Sequence, residues 1–205
     1  MERRELIRIL SSTAGLACLQ GLSPDDLLGL GKSVHADAAG QQGLQALDGQ
    51  ADATVIAAAE RILPATDTPG ATAAQVHRFI DRMLADWYTP AERDRFLSGL
   101  RELDERSRAS HRRDFVGCTE AQQTALLTTL DGEVTALRGP AGAEARRRAG
   151  LANANEHWFA TLKYLTAWGW ATSEPVLRAL GRDKLPGRWD GCAPYQPRAG
   201  APRPS

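Results

Sequence analysis

His157 stands beside Glu156, with Asn153 and Asn155 just before it, and this is the densest group in the sequence that could move protons. A histidine with a carboxylate neighbour does general acid–base work when both converge in a pocket. Adjacent helical positions point in different directions, however. The alternative places His157 on the face of Thr161, Tyr164 and Trp168, as a core or interface histidine. Asp67, between Thr66 and Thr68, has the chemistry of a ligand or a base, but an aspartate that caps its own loop gives the same pattern. His77 and His111 are isolated and are read as facing solvent. Cys18, Cys118 and Cys192 are far apart, with no C-x-x-C or His/Cys spacing that would suggest zinc or an iron–sulfur cluster. No catalytic, cofactor-binding or metal-ligating residue is assigned on this basis. A stand-alone helical enzyme working through the 153–157 cluster is kept as a rival reading.

Charge narrows the field further. The chain has 205 residues, 25 basic and 25 acidic, so it carries no overall attraction for nucleic acid or a lipid surface. Arg101, Arg106, Arg108, Arg112 and Arg113 are interleaved with Glu102, Asp104 and Glu105, the pattern of a salt-bridged helix surface. Arg146 to Arg148 read as a solvated face or a contact for an acidic partner. Nucleic acid is excluded as a partner. Four of the five tryptophans fall in the last quarter of the chain, which points to burial or docking at that end.

The elements that must position these residues are helices. Residues 1–30 are read as a signal-like or amphipathic helix. Arg3 and Arg4 precede a moderately apolar stretch from Leu6 to Leu22, the order of a twin-arginine export signal. Arg8 interrupts that stretch, and small-residue cleavage patterns come only near Ala36 and Ala38, so an amphipathic helix that stays on the chain is the competing reading. No run is long enough to span a bilayer, so any membrane link must come through a partner. Residues 31–51, with scattered glycines, are read as a linker. A helical domain over 52–195 follows, and 196–205 form a polar tail. Asp52 is expected to cap a helix that Pro64 stops, followed by a turn-rich loop over 65–72. Val76, Phe79, Ile80, Met83 and Trp87 form an amphipathic stripe. Thr89-Pro90-Ala91-Glu92 and Thr119-Glu120-Ala121-Gln122 are capping boxes. One long segment is expected from Ala141 to Trp168, and a short helix from Thr172 to Leu180. With no period-two strand, the fold predicted is all-α: one helical domain with long irregular loops and an extended Pro/Gly-rich C-terminal segment.

Several of these blocks together resemble the gluconate 2-dehydrogenase subunit 3 family. The first is Ile62-Leu63-Pro64-Ala65-Thr66-Asp67-Thr68-Pro69-Gly70-Ala71, followed by Val76 and Phe79-Ile80-Asp81. The second comprises Trp87, Tyr88, Glu92, Arg93, Phe96 and Gly99-Leu100. The family's Gly-Tyr-Phe-Thr-Ser-Glu is similar to Gly169-Trp170-Ala171-Thr172-Ser173-Glu174, with alanine in place of the second aromatic. Its terminal Pro-Gly-x-Tyr-Asp-Gly-Cys is similar to Pro186-Gly187-Arg188-Trp189-Asp190-Gly191-Cys192. The likeness covers about residues 50 to 195.

The resemblance implies a non-catalytic small subunit beside a large FAD-dependent subunit of the glucose–methanol–choline type, often with a c-type cytochrome. The large subunit would oxidise a sugar, sugar acid or polyol, and this chain would support its maturation and export. That places it in the periplasm, membrane-associated only through the complex, with the cytoplasm as the alternative. A transient export chaperone that leaves the mature complex is a further reading. The sequence agrees in having no G-x-G-x-x-G opening a βαβ unit and no C-x-x-C-H, so FAD is expected in the partner and haem in a third subunit. The expected docking surface is aromatic: Trp158, Trp168, Trp170, Trp189 and Tyr195. Ordinary core packing is the alternative for Trp158 and Trp168. In an oxidising compartment Cys118–Cys192 is the natural intramolecular disulfide, and a bond from Cys192 to another subunit the alternative.

Overall fold

Among the described residues, 23–40 and 43–181 of a computed structural model, every regular element is helical and no strand occurs. The all-α prediction holds. In chain order the helices are α1 (Pro24–Gly40), α2 (Gly49–Ile62), α3 (Val76–Asp86), α4 (Pro90–His111), α5 (Glu120–Ala136), α6 (Ala143–Arg148), α7 (Trp158–Thr172) and α8 (Glu174–Ala179).

α7 is the axis of the fold, because its sequence WFATLKYLTAWGWAT is apolar on nearly every side. A helix of that kind must be surrounded, and α7 packs against α1, α2, α3, α4, α5 and α8. Phe159, Leu162 and Leu165 are almost fully buried, each worth roughly 1.5–3 kcal/mol relative to exposure. Phe79 of α3 meets Trp168 edge-on, with ring centroids 5.3 Å apart. The closest approach is at Gly99 of α4, where a Cβ would fall inside the Trp158 indole, so only glycine lets α4 reach the start of α7.

The two capping boxes form as predicted. Thr89 Oγ1 accepts the Glu92 N–H while Glu92 accepts the Thr89 N–H at 2.9 Å. Gln122 and Thr119 repeat the exchange. The amphipathic stripe of α3 is buried from Val76 through Leu84.

Four expectations need correction. The segment expected as a linker from residue 31 is helical to Gly40, as the second half of α1. Leu27, Leu30, Val34 and Ala38 recur at helical spacing and pack inward, and Ser23 and Asp26 cap the helix reciprocally around Pro24. Gly31 belongs to the contact with Thr172, not to a flexible stretch. The cap of α2 is Asp48, whose carboxylate accepts the Ala51 N–H at 2.8 Å, and Asp52 lies inside the first turn. The segment from Ala141 to Trp168 is broken into two 3₁₀ turns, α6 and the start of α7, since Gly150 takes φ +67°. Trp87, placed on the α3 stripe, is 49 % exposed, because α3 ends one residue earlier.

Two buried aspartates fasten irregular chain to the helices. Asp81 of α3 is 3 % exposed and accepts the N–H groups of Gln45, Ala46 and Leu47 at 2.8–3.1 Å. Asp104 of α4, expected on a charged surface, is 5 % exposed. It accepts the Phe115 N–H at 2.9 Å and the Gln50 side-chain amide at 3.0 Å. A carboxylate taking backbone N–H groups in this way satisfies both partners inside the protein.

Candidate partner-binding surface

The loop joining α2 to α3 is rigid although its tip is open to solvent. Pro64 ends α2, and Ala71 returns its N–H to the Leu63 carbonyl at 2.9 Å. Glu60, in the last turn of α2, spans the loop and accepts the Ala65 N–H at 3.1 Å and the Thr72 N–H at 2.8 Å. Burial pulls the Glu60 carboxyl upward, but the bonds from Thr72 and Ala65 and the charge of Arg61 hold it below its ordinary value. Gly70 sits where a Cβ would come within 2.6 Å of the Ala65 nitrogen. From the far side, the Trp170 indole N–H donates to the Pro69 carbonyl at 2.7 Å. Pro64, Ala65, Thr66 and Asp67 remain exposed on this clamped base. Asp67 accepts the Thr66 hydroxyl at 3.0 Å, the local loop bond that the sequence suggests.

The polar cluster before α7 is positioned by the 3₁₀ turn Ala154–Glu156. Asn153 caps that turn through the Asn155 N–H. Glu156 accepts the Ala152 N–H at 3.0 Å and the Asn153 amide at 3.1 Å, with Arg95 at 3.6 Å. His157 caps α7, its Nδ1 accepting the Phe159 N–H at 3.2 Å. Burial lowers the His157 pKa, with Glu133 and Glu102 pulling the other way. The neutral imidazole suits the cap, which needs a lone pair on Nδ1. Both members of the pair are thus committed to local backbone, and Glu156 also lines a cleft between α4 and the start of α7. That cleft is lined by Tyr88, Arg95, Phe96, Asn155, Trp158 and Tyr164, among others.

His77, expected at the surface, is half-buried on α3 near Asp52. Burial lowers the His77 pKa and raises that of Asp52, and the two oppose each other's shift. The described residues hold no group of three or more His, Cys, Asp or Glu side chains arranged for a metal ion.

Of the aromatic residues expected to dock a partner, Trp158 and Trp168 are core, at 5 % and 2 % exposure. Trp168 donates its N–H to the Leu27 carbonyl at 3.1 Å, tying α7 to α1. Trp170 is half-buried beneath the clamped loop. Cys118 is buried in the turn before α5. Trp189, Tyr195 and Cys192 lie outside the described residues, as do Cys18 and the arginine pair Arg3–Arg4. Sequence reasoning placed Trp87 on the buried stripe of α3 and not on a docking surface, and its exposure follows from where α3 stops. It also missed His35, whose Nε2 lies 2.7 Å from the Gly169 carbonyl and fastens α1 to α7.

The clamped loop and the Trp170 turn therefore meet at one end of α7, although they are about a hundred residues apart in the chain. No curated protein and no solved structure matches the chain. The family model described as gluconate 2-dehydrogenase subunit 3 matches residues 39–187, which include the loop, the cleft and α7. The chain belongs to the gluconate 2-dehydrogenase subunit 3 family, and as a subunit it acts with protein partners.

Proposed function

We propose that this chain is the non-catalytic accessory subunit of an FAD-dependent dehydrogenase complex that oxidises a sugar, sugar acid or polyol. The flavin and the substrate would both sit in the large subunit, with a c-type cytochrome as the onward electron acceptor. The chain binds the large subunit, supports its maturation and accompanies it to the periplasm. The observation that carries this reading is the family match over residues 39–187. Two features of the fold support it. The polar residues with catalytic chemistry, Glu156 and His157, are occupied by local backbone. The exposed loop Pro64–Asp67 is held rigid from three sides, and a pre-ordered surface of that kind binds a partner with little loss of entropy.

The docking edge takes in this loop and Trp170, and Trp189 and Tyr195, which lie outside the described residues, are assigned to it from the sequence alone. The test is to express the large subunit with and without this chain. With it, active large subunit accumulates in the periplasm; without it, that activity is lost or stays in the cytoplasm. Equal exported activity in both strains would remove the maturation and export role.

A further inference from the structure

Two triplets in the sequence, Val34-His35-Ala36 and Ala36-Asp37-Ala38, have the small-x-small pattern that a leader peptidase reads before its cut. The family model begins at residue 39, just behind both of them. A mature chain starting at Asp37 or Ala39 would therefore keep all, or all but the first, of the residues that the family model covers. The fold places the boundary elsewhere.

Both triplets lie on α1 and are helical throughout. Val34 and Ala38, which would have to enter the peptidase pockets, are buried. His35 is half-buried between them, its ring centroid 4.9 Å from that of Phe79 and its Nε2 2.7 Å from the Gly169 carbonyl. A protease takes its substrate from open, accessible chain, whereas here the backbone is tied into a packed helix. The rest of α1 is fastened to the same neighbours, α3 and α7. The Trp168 indole N–H donates to the Leu27 carbonyl at 3.1 Å. Gly31 fits so closely that a Cβ there would come within 2.6 Å of the Thr172 Cβ. A cut after Ala36 or Ala38 would remove the acceptor of Trp168 and uncover apolar surface of α3 and α7.

Ahead of α1 the chain changes character. The apolar stretch from Leu6 to Leu22 ends at Ser23. The Ser23 N–H and hydroxyl donate to the Asp26 carboxylate at 2.9 and 2.8 Å, and the Asp26 N–H returns to Ser23 Oγ. Residues 23–26 are exposed, so α1 opens on an accessible cap and every anchor of the helix lies behind it.

We infer that α1 belongs to the mature subunit: a leader peptidase acting on the exported chain cuts before Ser23 or leaves the chain whole, and the triplets over 34–38 are packing positions. The inference rests on the export part of the accessory-subunit reading. Retained, α1 braces the turn of α7 from Trp168 to Thr172, the turn that carries Trp170 beneath the docking loop.

The test is the intact mass and N-terminal sequence of the chain isolated from the periplasm, with melting curves for Gly31→Val and His35→Ala in the full-length chain. The expected N-terminus is Ser23 or earlier, and one at Asp37, at Ala39 or anywhere else within α1 overturns the inference. Each variant is expected to melt at least about 2 °C below the parent or to fail to fold. Parental melting in both would show that α1 is not held on α3 and α7, and overturns the inference too. A chain absent from the periplasm is a failure of the export reading, which is a different result, and the two melting curves then decide whether α1 is part of the fold.

Discussion

Replacing Asp81 by alanine is expected to release the chain between α1 and α2. The Asp81 carboxylate, 3 % exposed, is the acceptor for three consecutive backbone N–H groups, at 2.8 Å from Ala46, 2.9 Å from Leu47 and 3.0–3.1 Å from Gln45. Leu47 is buried, so its N–H gains no water when the acceptor goes, and about 1–3 kcal/mol is lost there. Gln45 and Ala46 are more open and recruit water, so each loses about 0.5–1 kcal/mol, near the net value of an ordinary hydrogen bond. The sum is about 2–5 kcal/mol, a large part of the 5–15 kcal/mol that holds a typical domain together. At roughly 2–4 °C per kcal/mol for a domain of this size, melting should fall by about 4–20 °C. Urea unfolding followed by circular dichroism gives the free energy directly, and proteolysis should cut near residues 43–47 first. Asp81→Asn keeps one acceptor oxygen and should fall between the parent and the alanine variant. A loss below 0.5 kcal/mol for Asp81→Ala would show that the three bonds do not anchor the segment.

Other substitutions and conditions test the rest of the fold. Gly99→Ala places a methyl group in the Trp158 indole and should destabilise by about 1–3 kcal/mol, the usual cost of overpacking; a neutral effect would mean that α4 and α7 are not in contact there. Acidification should also destabilise. Burial lowers the pKa values of His35, His77 and His157 in the folded chain, so the unfolded chain binds more protons. Their contribution is complete above the ordinary value of about 6.5 and is lost as pH falls through it towards the lower folded values. Asp52 is raised by burial and acts in the opposite sense. Melting at pH 7.5 should exceed that at pH 5.5, and His157→Asn, which keeps a capping acceptor without titrating there, should flatten the slope. A pH-independent melting point between these values would contradict the burial of the histidines.

Much of the architecture was legible because it is written in local chemistry. The capping boxes at Thr89 and Thr119, the Pro64 stop and the α3 stripe all formed where residue types and spacing put them. α1 was missed beyond residue 30 because glycines at 31 and 40 resemble a linker, although Ser23-Pro24 and Asp26 carried the signal of a reciprocal cap. What stayed hidden was long-range. Nothing in the local pattern tells that Asp81 and Asp104 face inward towards backbone from other segments. The docking surface was legible only in part. A tryptophan-rich helix can serve a core or an interface, and α7 uses Trp158 and Trp168 for the core. Trp87 became visible as a surface residue only once the end of α3 was fixed.

Affinity purification of this chain after co-expression with its neighbouring reading frames, followed by an absorption spectrum and subunit stoichiometry, addresses the central claim most directly. An accessory subunit should bring down one larger, flavin-containing chain in equal amount, and the complex should oxidise a sugar or polyol while the isolated small chain does not. A colourless, monodisperse single chain would contradict the assignment, and turnover by that chain alone would move the chemistry back to Glu156 and His157.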